Sequence, residues 1–542
     1  MEPNRTRPGQ AAPATAERAP AAHSDVDKWF LTAQERGNPH TELDSRHADG
    51  VAWSTGNLVQ PLVHGAAYFS ELLAAIRRMG PADQLMLTDW RGDRDELLEG
   101  PGTEVGHVLA DAARRGVVVR ALVWRSHLDS MRYHEGVNRR LGEEIHAAGG
   151  ECLLDQRVRG GGSHHQKLVV LRHPGRPEAD VAFIGGIDLC HGRKDDGTHA
   201  GDIQPCPIGA VYGAQPPWHD VQVAIYGPAV ADVETAFRER WDDPAPLTRN
   251  PYRRWRDRAL RPHGPPSCPP RLADPPACGT DAVQILRTYP YRRPGYAFAP
   301  DGERSIARAY HKALGRARHL IYLEDQYIWS PHVVCVFADA LAANPDLRMI
   351  AVVPQFPDRD SPAYNAPQLL ARGRSLEQLA HAGGERVAVY GLENPAGIPV
   401  YVHAKVCVVD DEWTSIGSDN VNMRSWTHDS ELSCAVIDQS PTGNCFALRL
   451  RLALAREHLD RADGDHEDLR NPIELFEAFA QTAKELDAWH AAGGLGPRPP
   501  GRLRRYQAAQ VSRFTASWAR PLHRMMYDPD GRPPQLRRRG GF

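Results

Sequence analysis

The chain has 542 residues, 41% hydrophobic and 25% charged, which is enough for two or more core-bearing units. Its net charge of −3 provides no global basic field, so composition gives no strong nucleic-acid signal. No apolar run approaches the roughly 18 residues a spanning helix needs, which excludes a transmembrane segment of that kind.

In chain order, residues 1–24 are rich in Pro, Ala, Arg and Gln, without an apolar core segment, and read as a disordered tail rather than a signal peptide. Residues 25–243 then form a first unit. "QLMLTDWRGD" (Gln84–Asp93), "GVVVRALVWRS" (Gly116–Ser126) and "GECLLDQR" (Gly150–Arg157) are short apolar, β-rich runs that predict buried strands. The stretch "TEVGHVLADAARRG" between the first two has a helical pattern. "GGG" at Gly160–Gly162 is no phosphate loop, because no helix opening on Lys-Ser/Thr follows it.

The block "SHHQKLVVLRHPGRPEADVAFIGGIDLC" follows, with His165 and Lys167 ahead of "LVVL", then Gly185, Gly186 and Asp188. Strand alternation would put His165 and Lys167 on one face and turn His164 and Gln166 away. The next predicted strand, "WHDVQVAIYGP", carries His219, read as structural, and Asp220.

Residues 244–279 read as an irregular linker, with ten prolines between Pro244 and Pro276. Residues 280–460 then repeat the first unit. Strands are predicted at "HLIYLEDQYIWS", "DLRMIAVVPQ" and "GERVAVYGLE", with "PHVVCVFADALAAN" helical between the first two. The second block is "YVHAKVCVVDDEWTSIGSDNVNMRS", with His403, Lys405, Asp410, Gly417, Ser418 and Asn420. From Thr88 to His165 is 77 positions and from Glu324 to His403 is 79. Aligning "DVQVAI" with "ELSCAV" pairs Asp220 with Glu431. Asp89 and Glu324, at strand ends, are candidates for supporting contacts, and Trp90 and Tyr327 are read as a corresponding pair. Residues 461–542 are predicted to be a helical, basic extension. Its helices and "CFALRLRLALAREHL" before it read as core packing, and the clusters "RRWRDR", "RLRRY" and "QLRRRGGF" read as solvated faces with anionic lipid as the alternative.

Strands alternating with helices argue for α/β halves with largely parallel sheets, related by a pseudo-two-fold axis that brings two histidines and two lysines to one cleft. That set suits phosphodiester cleavage without a metal. One neutral imidazole attacks phosphorus and the other, protonated, gives a proton to the leaving alkoxide. Lys167 and Lys405, with Asp188 and Asn420 nearby, would hold the phosphoryl oxygens. Asp220 and Glu431 would orient the imidazoles. No carboxylate cage or zinc-like cysteine spacing is present, so no metal or other cofactor is expected. The nine cysteines, several in apolar runs, read as reduced thiols of a cytosol-like compartment.

The two blocks resemble the phospholipase D superfamily, whose motif is His-x-Lys-x4-Asp followed by a Gly-Gly or Gly-Ser turn. "SHHQK", "GGIDLC", "WHDV", "IYLEDQY" and "SIGSDNVNMRS" look like its phosphatidylcholine-hydrolysing branch. The resemblance runs from about Val51 to about Leu459. It implies His165 as nucleophile and His403 as general acid, with Lys167, Lys405 and Asp410 in the catalytic motif. It also places Gly185, Gly186, Asp188, Gly417, Ser418 and Asn420 around the substrate. The implied substrate is a glycerophospholipid at a membrane surface, cleaved at its distal phosphodiester, with head-group exchange when an alcohol replaces water. The implied form is a monomer, cytoplasmic and peripheral to the membrane. The alternatives are a cardiolipin synthase-like phosphatidyltransferase, a nuclease or other phosphodiesterase, and a catalytically silent lipid-binding homologue. One departure stands out: the first block has Arg172 where the motif has Asp, followed by an inserted turn in which Asp180 or Glu178 is available to compensate.

Overall fold

The computed structural model describes residues 26–47, 50–127, 135–260, 264–440 and 445–542, so the tail at 1–24 lies outside the described residues. The first half contributes β1 (Ser54–Val63), β2 (Gln84–Asp89), β3 (Val118–Trp124), β4 (Glu151–Asp155), β5 (Leu168–Arg172), β6 (Val181–Gly185), β7 (Trp218–His219) and β8 (Val221–Tyr226). The second contributes β9 (Asp281–Tyr289), β10 (Glu303–Arg304), β11 (Leu320–Asp325), β12 (Arg348–Val352), β13 (Val387–Glu393), β14 (Pro399–Val402), β15 (Lys405–Val409), β16 (Trp413–Gly417) and β17 (Glu431–Asp438).

The sheets repeat one order. In the first half it is β1-β8-β6-β5-β2-β3-β4 and in the second β9-β17-β16-β15-β11-β12-β13. Only β2-β3-β4 and β11-β12-β13 are parallel; every other neighbour in the two orders is antiparallel. The sheets are therefore mixed, correcting the expectation of largely parallel ones. The cause is local: β5-β6 and β15-β16 are closed by short connections, and a short connection can only return antiparallel. The halves join through β1 pairing with β9 and through β7 pairing with β14.

Strand alternation distributes the side chains between layers. Leu85 and Leu87 face one core with Val169 and Leu171, while Met86 faces another with Leu168 and Val170. In the second half Ile321, Leu323, Cys407 and Val409 face outward, and Tyr322, Val406 and Val408 inward. The inward residues of both sheets share one continuous core with helices Ala229–Trp241 and Phe446–Leu459. Helices Gly65–Arg77, Val105–Arg114 and Glu135–Ala147 cover the first outer face. Helices Ser305–Leu314 and Pro331–Ala343 cover the second. Burial on both faces explains why these strands read as unbroken apolar runs.

Two connecting regions differ from expectation. The proline-rich segment contains a helix, Pro251–Leu260, opened by a proline at its first position, where the missing N–H costs nothing. Its Arg253 and Arg256 pair with Glu135, so the basic run there is partly committed within the fold. The extension is helical at Pro472–Ala491 but also supplies β18 (Leu503–Arg505), which lies antiparallel on β13 and absorbs "RLRRY". Arg504 there pairs with Glu393 and Asp487.

Candidate active site

The two His-x-Lys blocks meet where the halves join. His165 lies just ahead of β5, and His403 lies between β14 and β15, so neither is itself within a strand. The His165 backbone N–H donates to the Ser430 carbonyl at 2.9 Å, and the His403 N–H donates to the His219 carbonyl at 2.7 Å. Each histidine is thus tied to the opposite half, immediately before that half's carboxylate. Its Nδ1 then meets the carboxylate itself. His165 Nδ1 lies 2.8 Å from Glu431 Oε2, and His403 Nδ1 lies 2.6 Å from Asp220 Oδ2. The register supports the pairing of the two carboxylates, since Gly185 faces Gln222 as Gly417 faces Ser433. With Nδ1–H given to a carboxylate, the Nε2 lone pair of each ring is left for chemistry.

The glycines permit this approach. A Cβ on Gly186 would overlap the Asp220 carboxylate, one on Gly185 would overlap Gln222 and the Val221 carbonyl, and one on Gly417 would overlap Ser433. The lack of a side chain at these three glycines is what lets the neighbouring strands come this close. Ser418, the counterpart of Gly186, donates its hydroxyl to Glu431 Oε2 at 2.5 Å. His164 turns away, fully buried, with Nε2 3.3 Å from Gln166 Oε1.

Each lysine folds back over its own histidine. Lys167 Nζ donates to the His165 carbonyl at 3.0 Å and pairs with Asp188 Oδ1 at 3.1 Å. Lys405 Nζ donates to the His403 carbonyl and reaches Gln326 Oε1 at 3.4 Å. Asp188 is held ionised by Lys167 against the cost of burial, and burial with the neighbouring Asp188 charge pushes Asp89 well up. Asp188 thereby anchors Lys167 in place. Asn420, its counterpart, is buried with its Oδ1 lacking a hydrogen-bond partner.

Asp89 accepts the N–H of Leu189 at 2.9 Å, and Asp325 accepts that of Val421 at 2.8 Å, each fixing the turn that follows a glycine pair. The counterpart of Asp89 is therefore Asp325, not Glu324, and that of Trp90 is Gln326 rather than Tyr327. The Trp90 ring meets His165 edge-on, with centroids 6.3 Å apart.

Arg193 was not marked in the sequence. Its guanidinium lies 3.9 Å over the Trp218 ring, which itself packs against His403 with centroids 4.9 Å apart. Burial pulls the His403 imidazole well below the usual histidine range, and the charges of Lys405 and Arg193 push it the same way. Burial pulls Lys405 down to about 8 and pushes the Asp220 carboxyl up. The free site thus holds His403 neutral among cations, a field that favours an arriving anion.

Asp410 and Arg172 lie at the far ends of their strands. Asp410 accepts the backbone N–H groups of Arg318, His319 and Leu320 at 2.7–2.9 Å and so fixes the start of β11. Its side chain supports the frame from a distance and does not meet the imidazoles. In the first half Arg172 is fully buried, donating to Asp180 at 2.7 Å and pairing with Glu234, and Asp180 also accepts the His173 N–H. The inserted turn supplies the carboxylate, with Asp180 rather than Glu178 as the partner.

Behind the cleft lies a second cluster that no spacing in the chain announces. His64, His199, His219 and Glu457 bring their ligand-type atoms within 4.8 Å of one another, and His219, Glu324 and His458 do the same. The sequence predicts no metal; the first set brings together residue types that could hold one ion.

Two family models match the chain, "Phospholipase D" over residues 91–250 and "Cardiolipin synthase, PLD-like domain" over residues 310–445, together more than half its length. Phospholipase D alpha 2 of Oryza sativa subsp. japonica is 25% identical, over 83% of this chain and 69% of its own. Phospholipase D alpha 1 of Cynara cardunculus is 26% identical, over 76% and 66%. The chain thus spans about two thirds of these curated relatives. Among solved structures, a phosphatidylserine synthase of Haemophilus influenzae Rd KW20 superposes with a TM-score of 0.50 at 13% identity, covering 80% of this chain and 94% of that one, a likeness of fold. The chain belongs to the phospholipase D superfamily. This relationship supports an enzyme that acts on phosphodiester bonds.

Proposed function

We propose that the protein cleaves the distal phosphodiester of a glycerophospholipid through a phosphohistidine intermediate. The observation that carries the reading is the crossed pairing, in which each imidazole gives Nδ1 to a carboxylate of the other half and keeps Nε2 for reaction. Nε2 of His165 attacks phosphorus. The bond from phosphorus to the head-group oxygen breaks, and the departing oxygen takes a proton from Nε2 of His403. The phosphate's negative charge offsets Lys405 and Arg193 and so allows His403 to carry that proton. Water then gives a proton back to His403 and displaces His165, leaving phosphatidic acid. An alcohol in place of water gives head-group exchange. Lys167 and Lys405 stabilise the charge that builds on the phosphoryl oxygens.

A lipid surface as partner is supported by exposed apolar side chains beside the Gly160–Ser163 loop that leads to His165. Met525 and Met526 are 77% and 61% exposed, and Arg424 ties the Met526 carbonyl to that of Gly161. Tyr252 and Trp255 are also exposed; Arg253 on their helix donates to Ser126, and His127 Nε2 lies 3.0 Å from the Gly162 carbonyl. One chain supplies both histidines, so a monomer suffices. In the described residues no helix is long and apolar enough to cross a membrane, and attachment is read as peripheral, from the cytoplasmic side.

The test is turnover of labelled phosphatidylcholine against labelled single-stranded DNA, with and without a primary alcohol. Release of the head group, and a phosphatidyl-alcohol when alcohol is present, is expected. DNA cleavage with no lipid turnover would overturn the lipid reading, and binding without turnover on either substrate would indicate a silent homologue.

A further inference from the structure

We infer that His64, His199, His219 and Glu457 form a zinc-class metal site that staples the two halves together behind the catalytic histidines. The inference stands on these residues and is independent of the reaction proposed above. Three of the ligands come from separate segments of the first half: His64 ahead of helix Gly65–Arg77, His199 in the loop after β6, and His219 in β7. Glu457 comes from helix Phe446–Leu459 of the second.

The Glu457 carboxylate is the hub. Its Oε2 lies 2.7 Å from His64 Nε2, and its Oε1 lies 3.1 Å from His199 Nε2 and 3.6 Å from His219 Nδ1. Ligands about 2.0–2.1 Å from a tetrahedral ion stand roughly 3.3 Å from one another, so these separations bracket what zinc requires. Ring centroids 4.9, 5.1 and 5.7 Å apart place the three imidazoles around one point.

His219 completes the set. Its Nε2 lies 2.6 Å from Glu324 Oε2. Its Nδ1 faces Glu457 Oε1 at 3.6 Å, too far for a hydrogen bond and wide enough to admit an ion between them. Against the cost of burial, Glu324 and Glu457 raise this imidazole to about 10, so an ion that binds at Nδ1 takes the place of a proton there. Glu324 is fixed in turn by Tyr322 Oη at 2.7 Å and His458 Nε2 at 2.7 Å. This carboxylate–histidine arrangement is the support a metal-bound imidazole needs on its far nitrogen.

His64 adds a second sign. It is a non-glycine residue at φ +70°, a conformation that persists only where its surroundings hold it. Its backbone N–H donates to the Asp220 carbonyl, so its placement is coupled to the orienting carboxylate of His403. Three imidazole nitrogens and one carboxylate oxygen favour zinc or a neighbouring first-row ion over calcium or magnesium, which take oxygen ligands. Four protein ligands close the site, so the ion would hold the frame and leave no position for substrate.

The test uses the full chain. Protein stripped with a chelator is given excess Zn²⁺, desalted, and its metal measured by mass spectrometry. About one zinc per chain is expected to survive desalting and competition by excess Ca²⁺ and Mg²⁺, with a higher melting temperature than the stripped protein. His199→Gln should lose the bound zinc, whereas His199→Cys, which restores a ligand, should keep it. Co²⁺ in the wild-type protein should give the intense visible absorption of a tetrahedral site. Retention below roughly 0.1 zinc per chain, or an octahedral Co²⁺ spectrum, would overturn the inference without recourse to any variant. So would a folded His199→Gln that holds zinc as the wild type does.

Discussion

Lys405 shows how burial sets the working range of a single residue. The charged form is needed to hold a phosphoryl oxygen, and burial brings its pKa down to about 8. Below that pH the amine is protonated; above it the amine is neutral and the positive charge is gone. The ratio kcat/KM, which follows the free enzyme, should therefore fall as pH rises through about 8. Lys405→Arg should lower the rate but carry the alkaline limb upward, because a guanidinium stays charged there. An alkaline limb unmoved by that change would assign it to another group. At this scale His165, Lys167, His403 and Lys405 were legible because they occur twice in the same order. Their partners were less so. The alignment paired Asp220 with Glu431, but chain order alone does not say which carboxylate reaches which histidine; the answer, each to the opposite half, comes from packing. Arg193 was invisible because an arginine in a polar loop carries no periodicity.

Elements explain the departure at the end of β5. In the second half Asp410 closes the turn against backbone N–H groups at the start of β11. In the first, Arg172 is locked between Asp180 and Glu234 in the interior. Restoring the motif residue with Arg172→Asp would place a third carboxylate beside Asp180, which would lose its arginine, and Glu234, which would keep only Arg238. Breaking a buried pair in this way costs about 3–5 kcal/mol. Urea denaturation should register a loss of at least that size, with no gain in turnover; a more stable or more active variant would contradict this placement. The alternation of strands and helices was readable from periodicity. The antiparallel returns were not, because a fully buried strand has the same apolar run in either direction. Proline density hid the helix Pro251–Leu260, and a three-residue β18 is too short to show a pattern.

The whole molecule is two like halves sharing one inner core, with reactive groups where they meet and apolar side chains exposed beside that junction. The duplication was legible from the sequence; the histidine cluster behind the site was not, since residues 64, 199, 219 and 457 share no spacing. If Met525 and Met526 seat the cleft on a bilayer, Met525→Ser with Met526→Ser should cut turnover on vesicles by about tenfold or more, from the loss of roughly 1.5–3 kcal/mol for each buried apolar side chain. Turnover of a monomeric short-chain lipid should be unchanged, and equal losses on both substrates would remove the membrane role. The central claim, that one histidine from each half divides nucleophile and acid between them, is tested most directly by trapping the intermediate. In His403→Ala, a phospholipid analogue with a nitrophenolate leaving group needs little protonation in the first step, whereas the second still lacks its base. Proton transfer by such a group contributes roughly 10²–10⁴-fold. Rapid mixing followed by mass spectrometry should show a burst of about one equivalent of nitrophenol and a phosphatidyl adduct on His165. No adduct on His165, or one on His403 in the wild-type enzyme, would contradict the assignment.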